Sequence, residues 1–281
     1  MTTAELTLPA RRALRRPAVT AAGVLLALIV LVAIAPGLFT HASPTDTDIL
    51  QPLVPPGPAH WFGTDQLGRD VFTRVLYGAR PALALGAIAT VLAVAGGIVL
   101  GLAAALGGKV LDQILMRVAD VLLALPALLL ALLVIAVLGS GTVNVAVAVA
   151  VAFVPLYARL VRAEALVVRR SGYVEASTSL GSPRIFVVCK HIVPNTLGPL
   201  LVMATVGFGT SLLYSSALSF FGLGLQPPAP EWGAMLSDGK DILASAWWVG
   251  VFPGAAVTIT VIAVNVVGRY ARTRLAGRTD S

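Results

Sequence analysis

Long apolar runs separated by short polar loops dominate this chain. The runs are Val19–Thr40, Pro81–Leu106, Val121–Ala158, Ile192–Pro230 and Ile242–Gly268. Each can cross a bilayer, which needs roughly 20 apolar residues in helical form. The third run is long enough for two crossings, and the turn-forming cluster Gly139-Ser140-Gly141-Thr142-Val143-Asn144 divides it. The fourth ends in a Gly/Pro-rich tail, Gly222–Pro230, that cannot continue a regular helix. Backbone polar groups in lipid must be satisfied within a segment, so helices are expected throughout. The pattern predicts an all-α polytopic membrane protein with six transmembrane helices.

Six crossings place both termini on one side, and basic residues indicate which. Sixteen of the 20 Lys and Arg fall in segments on the same side as the termini, leaving Arg69, Arg74, Arg80 and Lys240 opposite. Asp46, Asp48, Asp65, Asp70, Glu231, Asp238 and Asp241 accompany those four. Basic residues accumulate on the cytoplasmic side, so both termini are expected there. The organisation expected is an N-terminal region (1–80) with the first span and an external loop, a core of five spans (81–270), and a basic cytoplasmic tail (271–281).

Hydrophobic residues make up 57% of the 281 and charged residues 12%, with a mean hydropathy of +0.90. A soluble domain of this size could not solvate such a surface. The net charge of +7 flanks the spans without interleaved aromatics, which fits lipid head groups and not nucleic acid. At the N-terminus, Ala33-Ile34-Ala35 resembles a cleavage site, but Pro36 follows and the apolar run is too long for a signal core. An uncleaved first span is expected.

The spans hold little chemistry. Gly97 and Gly101 form a G-x-x-x-G pair, with Gly86, Ala93 and Ala104 along the same span, a pattern suited to close helix packing. Arg117 and Asp120 are spaced to pair on one helix face, and Pro126 should kink the helix that follows. His41, His60 and His191 are placed in loops, and Cys189 is a lone thiol on the cytoplasmic side. No metal site, catalytic residue or phosphate-binding glycine loop is present in the pattern. Acidic relays typical of proton-coupled transporters are also missing from the spans. Transport through such a chain would need energy from a partner.

The polar stretch Arg159–Asn195 has the character of a docking element. Tyr173 to Leu180 should form two helical turns ended by Gly181 in a left-handed cap. Tyr173, Ala176 and Leu180 then share an apolar face for a groove on a partner, with Ala176 and Ser177 small enough for close approach and Glu175 free to meet a polar group. Pro194, in Ile192-Val193-Pro194-Asn195, should form a rigid joint at the start of the fifth span.

Three patches together resemble the inner-membrane permease subunits of ATP-binding cassette importers, in the dipeptide/oligopeptide/nickel branch and of the second permease type. One is His60–Arg74 with Gly78-Ala79-Arg80; another is the Glu175–Asn195 loop, with Ser177 where a second alanine is usual; the third is Leu218–Leu236. The resemblance covers nearly the whole chain beyond its first ten residues and implies the importer permease fold. It implies a multi-pass protein of the bacterial cell membrane, bound by the lipid bilayer, forming half of a translocation pathway with a homologous permease in a heterodimer. Two ATP-binding cassette ATPases would bind ATP and Mg, so this chain would hold no cofactor, and an extracytoplasmic binding protein would deliver substrate. Tyr173, Glu175, Ala176, Ser177, Leu180, Gly181 and Pro194 would couple to the ATPases. Trp61, Gly63, Thr64, Asp65, Gly68, Arg69 and Asp70 would meet the binding protein or sister permease. Gln226, Pro227, Pro228, Trp232 and Gly233 would border the external mouth. Peptide is the expected cargo, with nickel or another small solute as the alternative; a passive channel or membrane anchor would be a different class.

Overall fold

The computed structural model describes residues 15–276 and is helical, with one isolated bridge between Thr64 and Asp70. The elements are α1 (Arg15–Ile34), α2 (Val71–Leu106), α3 (Lys109–Leu123), α4 (Ala127–Leu138), α5 (Thr142–Arg169), α6 (Gly172–Ser179), α7 (Arg184–Val187), α8 (Val193–Phe220), α9 (Trp232–Lys240) and α10 (Trp248–Ala276). Five helical stretches among the described residues are long and apolar enough to cross a membrane, and a sixth crossing requires α3 and α4 together. The basic arms before residue 15 and after 276 lie outside the described residues.

The kink expected at Pro126 in the third span is a full break, and the helix before it starts well ahead of Val121. Helix begins at Lys109, stops at Leu123, and resumes at Ala127 after a bend of 100°. Pro126 caps α4 and offers no N–H to continue α3, so the chain turns there. With 12 residues, α4 extends only about 18 Å, short of a hydrocarbon core of about 30 Å.

Two other boundaries also move. α2 has 36 residues, about 54 Å of helix, and starts ten residues before Pro81, which sits inside it. The expected division at 80/81 therefore falls within one helix, and that at 270/271 falls within α10. The fifth span starts at Arg184, and Pro194 does not break it: helix runs from Arg184 through a π turn at Val188–Ile192 into α8. His191 thus lies in helix, not loop, while His41 and His60 are in loops.

α2 packs on α5, α8 and α10, and small residues make the approach possible. A Cβ on Gly97 would lie 2.3 Å from the Tyr157 Cβ, and one on Gly101 would lie 2.6 Å from the Ala158 carbonyl oxygen. Gly86 meets Leu212 and Phe208 of α8 in the same way, and Gly207 of α8 leaves room for the Tyr157 hydroxyl. Ala93 and Ala104 are buried along this stripe. The G-x-x-x-G pair is therefore intramolecular packing. Gly97→Ala should destabilise the fold by about 1–3 kcal/mol, because the opposing atoms are backbone and Cβ and cannot retract. Thermal unfolding in detergent would show the loss, while Gly23→Ala, with open space around it, should leave the transition in place.

Arg117 and Asp120 do not form the pair that their spacing suggested. Asp120 bonds to Arg159 of α5, and Asp112 takes Arg162 of α5 in a two-pronged contact. Tertiary packing brings a guanidinium from across the bundle to each carboxylate. α3 is thereby held along α5 by its polar face, with Val110, Ile114 and Val118 exposed on the other.

Candidate functional site

Two assemblies occupy opposite ends of the bundle. At one end, α6 follows α5 after the turn at Arg170-Ser171. Val174 is its single buried residue, set among Ala105, Ala165, Val168, Val187 and Ile192. The Arg169 guanidinium donates to the Ala105 carbonyl at 3.3 Å, and Arg184 donates to that of Leu106. Both thus satisfy carbonyls left unpaired at the end of α2 and place positive charge at its negative pole.

The end of α6 is a complete Schellman motif. Gly181 has φ +78°, its N–H donates to Thr178 O at 3.0 Å, and Ser182 N–H donates to Ser177 O at 3.2 Å. The Ser177 hydroxyl donates to Ser182 Oγ at 3.1 Å, so Ser177 closes the turn instead of lying on the outer face. Outside, Tyr173, Glu175, Ala176 and Leu180 all face solvent, Leu180 at 86% exposure. The three residues Tyr173, Ala176 and Leu180 fall within about 60° of one another around the helix. A cleft of about 710 Å³ runs beside this helix, lined by Arg169, Glu175, Ser179 and Arg184 among others. Pro194 is not on that helix; it stands at the start of α8, after the π turn in which the Val193 N–H reaches back to Val188 O.

At the other end, the loop before α2 is a folded unit. Asp65 accepts from Arg69 Nε at 2.7 Å and lies 3.5 Å from Arg74 Nε, with all three side chains buried. Its other oxygen accepts the N–H groups of Leu67 and Arg69. Arg74 also donates to the carbonyls of Pro44 and Pro228. Thr64 donates to Gln51 O, accepts from Val54 N–H, and through its carbonyl accepts from the Trp248 indole. Asp70 caps α2 by accepting from Thr73 N–H at 2.8 Å and pairs with His60 at 3.0 Å. Gly63 and Gly68 have positive φ, and a Cβ on Gly68 would lie 1.8 Å from Asp48 O.

This burial revises the expectation that the whole patch forms a contact surface. Gly63, Thr64, Asp65, Gly68 and Arg69 are buried within the chain and build the loop; Asp70 is half-buried. Trp61 is open, as are Gln66 and Leu67, which run length and motif did not single out. Gln66 and Leu67 are the central residues of the turn closed by the Gly68 N–H on Asp65 O at 3.0 Å, which carries them outward while Asp65 stays buried.

The patch after α8 divides in the same way. Gln226, Pro227 and Pro228 are exposed, while Trp232 and Gly233 are buried. The Trp232 indole donates to Val75 O at 2.8 Å, tying α9 to α2, and Gly233 packs where a Cβ would strike Ser216 O at 2.2 Å. Glu231, also buried, caps α9 by accepting from Gly233 N–H at 3.1 Å and Ala234 N–H at 3.0 Å.

Burial pushes the Glu231 carboxyl above its ordinary value of 4.5, and the two N–H bonds oppose this only in part. A raised value in the folded state favours folding below the unfolded value, and that contribution is lost as pH rises through the folded value. Relative to Glu231→Gln, the parent should therefore lose stability as pH increases from about 4.5 upward. Melting temperatures of both proteins measured between acidic and neutral pH would show the difference growing; a constant difference would refute it.

Comparison with known proteins bears on both assemblies. A dipeptide transport system permease protein of Alkalihalophilus pseudofirmus is 39% identical over 245 residues, covering 87% of this chain and 81% of that protein. A glutathione transport system permease protein of Pectobacterium atrosepticum is 39% identical over 259 residues, covering 92% and 86%. The solved structure of an inward-facing methionine ABC transporter superposes with a TM-score of 0.58 at 19% identity, covering 72% of this chain and 96% of that one. That likeness concerns the fold. The model of binding-protein-dependent transport system inner membrane components matches residues 97–281, which include α6 and its cap. The chain belongs to that family of membrane transport permeases.

Proposed function

We propose that this chain forms one half of the translocation pathway of an ATP-driven importer of di- or oligopeptides in the bacterial plasma membrane. The observation that carries the reading is α6. A two-turn helix anchored by one buried valine and closed by a Schellman motif leaves Tyr173, Ala176 and Leu180 uncovered. A rigid exposed apolar helix face suits insertion into a groove on another protein. The names of relatives about 39% identical over most of the chain support peptide cargo.

In this reading, the excess of Lys and Arg places α6 and both termini in the cytoplasm. Two ATPase subunits bind ATP and Mg and receive α6 of this chain and of a homologous partner permease. Their closure displaces α6, and the π turn at Val188–Ile192 with Pro194 and Pro199 is where α8 can bend in response. Substrate delivered by an extracytoplasmic binding protein arrives at the opposite end, where Trp61, Gln226, Pro227 and Pro228 are exposed.

The test is reconstitution of the chain with its partner subunits in proteoliposomes. ATP-dependent accumulation of a labelled dipeptide or oligopeptide, abolished when the binding protein is omitted, is the expected result. Passive equilibration of the label without ATP would overturn the proposal, as would failure of the chain to co-purify with any ATPase.

A further inference from the structure

We infer that a phospholipid occupies the groove between α1, α2, α8 and α10, its acyl chain in the groove and its phosphate on Arg80. The groove is about 720 Å³. α1 packs on α2 and α10, which leaves an opening toward α8. Its walls are aliphatic or aromatic, including Leu26, Val30, Leu83 and Phe208, while Ala87 and Ala204 leave the floor low. All four helices are long and apolar enough to cross the bilayer, so the surrounding medium at this depth is lipid.

Arg80 is the one charged residue lining the groove. Its Nη2 donates to the Ile34 carbonyl at 3.3 Å, satisfying the end of α1. Ile34 also ends the 18-residue apolar span of α1, about 27 Å long, and so marks the edge of the hydrocarbon layer. The guanidinium therefore lies at head-group level. It is exposed, and among the described residues no carboxylate lies within ion-pairing distance of it. A guanidinium has five N–H donors in a planar fork, a geometry that matches phosphate oxygens. From Ile34, the groove follows α1 back to Leu26, about 12 Å, which suits part of one acyl chain. Cation at the surface and apolar channel below complement a phospholipid, whereas a free anion would use only the first.

The assembled transporter, stripped of lipid in detergent and titrated with dioleoyl phosphatidylglycerol, provides the test, with bound lipid counted by native mass spectrometry. One lipid should be retained at this chain. Arg80→Gln should weaken retention roughly tenfold or more, Arg80→Lys should preserve most of it, and Ala87→Phe should abolish it by filling the groove. Ala204→Phe fills the groove from the opposite wall and gives the same readout should Ala87→Phe fail to fold. Retention unchanged in both Arg80→Gln and a groove-filling variant would overturn the inference. So would displacement of the lipid by inorganic phosphate, or cross-linking from Ala87→Cys to a protein subunit, which would show another chain filling the groove.

Discussion

Replacing Asp65 by alanine is expected to destabilise the protein by about 3–5 kcal/mol, because two buried guanidiniums lose their shared carboxylate. Arg69 and Arg74 are 7% and 4% exposed at their side chains, and Asp65 lies against both. Two further N–H groups, of Leu67 and Arg69, lose their acceptor at the same time. Asp238 feels the charge of both arginines, but its exposure to solvent limits what it can offset. Asp65→Asn keeps an acceptor for the backbone while removing the charge, so its loss should be intermediate. Thermal or denaturant unfolding of the purified permease in detergent would rank the parent first, Asp65→Asn second and Asp65→Ala last. A loss below about 1 kcal/mol for Asp65→Ala would mean that the cluster is open to water. Because the cluster also holds Pro44, Pro228 and Trp248 in place through Arg74 and Thr64, this end of the bundle should loosen as a unit.

Leu180→Asp should leave the fold intact and reduce ATP-driven uptake by about thirtyfold or more. The residue is 86% exposed at the end of α6 and supports nothing within the chain. In the proposed function it would enter a groove on an ATPase subunit, where a buried apolar anchor typically contributes about 2 kcal/mol or more. A carboxylate there would have to be desolvated or expelled. Glu175→Arg, on the same exposed helix, should also impair coupling by reversing a charge at the interface. Val174→Asp gives the contrasting case: it inserts a carboxylate into the cluster with Ala105 and Ile192 and should reduce folding itself. Co-purification with the ATPase subunits, substrate-stimulated ATP hydrolysis and uptake are the three measurements. Normal uptake by Leu180→Asp in a stable complex would show that α6 does not couple through this face.

The legible part of α6 was its backbone. Gly181 after an eight-residue stretch without proline leads to a left-handed cap, and the Schellman bonds are what such a glycine makes. The inward turn of Ser177 was not legible, since its partner Ser182 lies beyond the cap and meets it only once the chain reverses. The patch before α2 was recognised as a motif, yet its direction was hidden. A segment rich in Asp, Arg, Gly and Thr reads as surface, and only Asp65 meeting Arg74 of α2 explains why it is interior. The same limit applied to Asp120: local spacing offered Arg117, and packing supplied Arg159 from 39 residues away.

Run length and turn residues were enough for helical class, for six expected crossings against five, or six with the bent pair, in the structure, and for the place of a capped helix between α5 and α8. These depend on bilayer thickness, backbone hydrogen bonding and glycine or proline geometry, which act on neighbouring residues. The tertiary structure decided which polar groups are buried, that α3 and α4 meet at a bend of 100°, and that α2 begins at Val71. It also placed Arg80 over an apolar groove. Those outcomes depend on which helix lies opposite, and charge pairing and packing across a bundle join residues with no local relation in the chain.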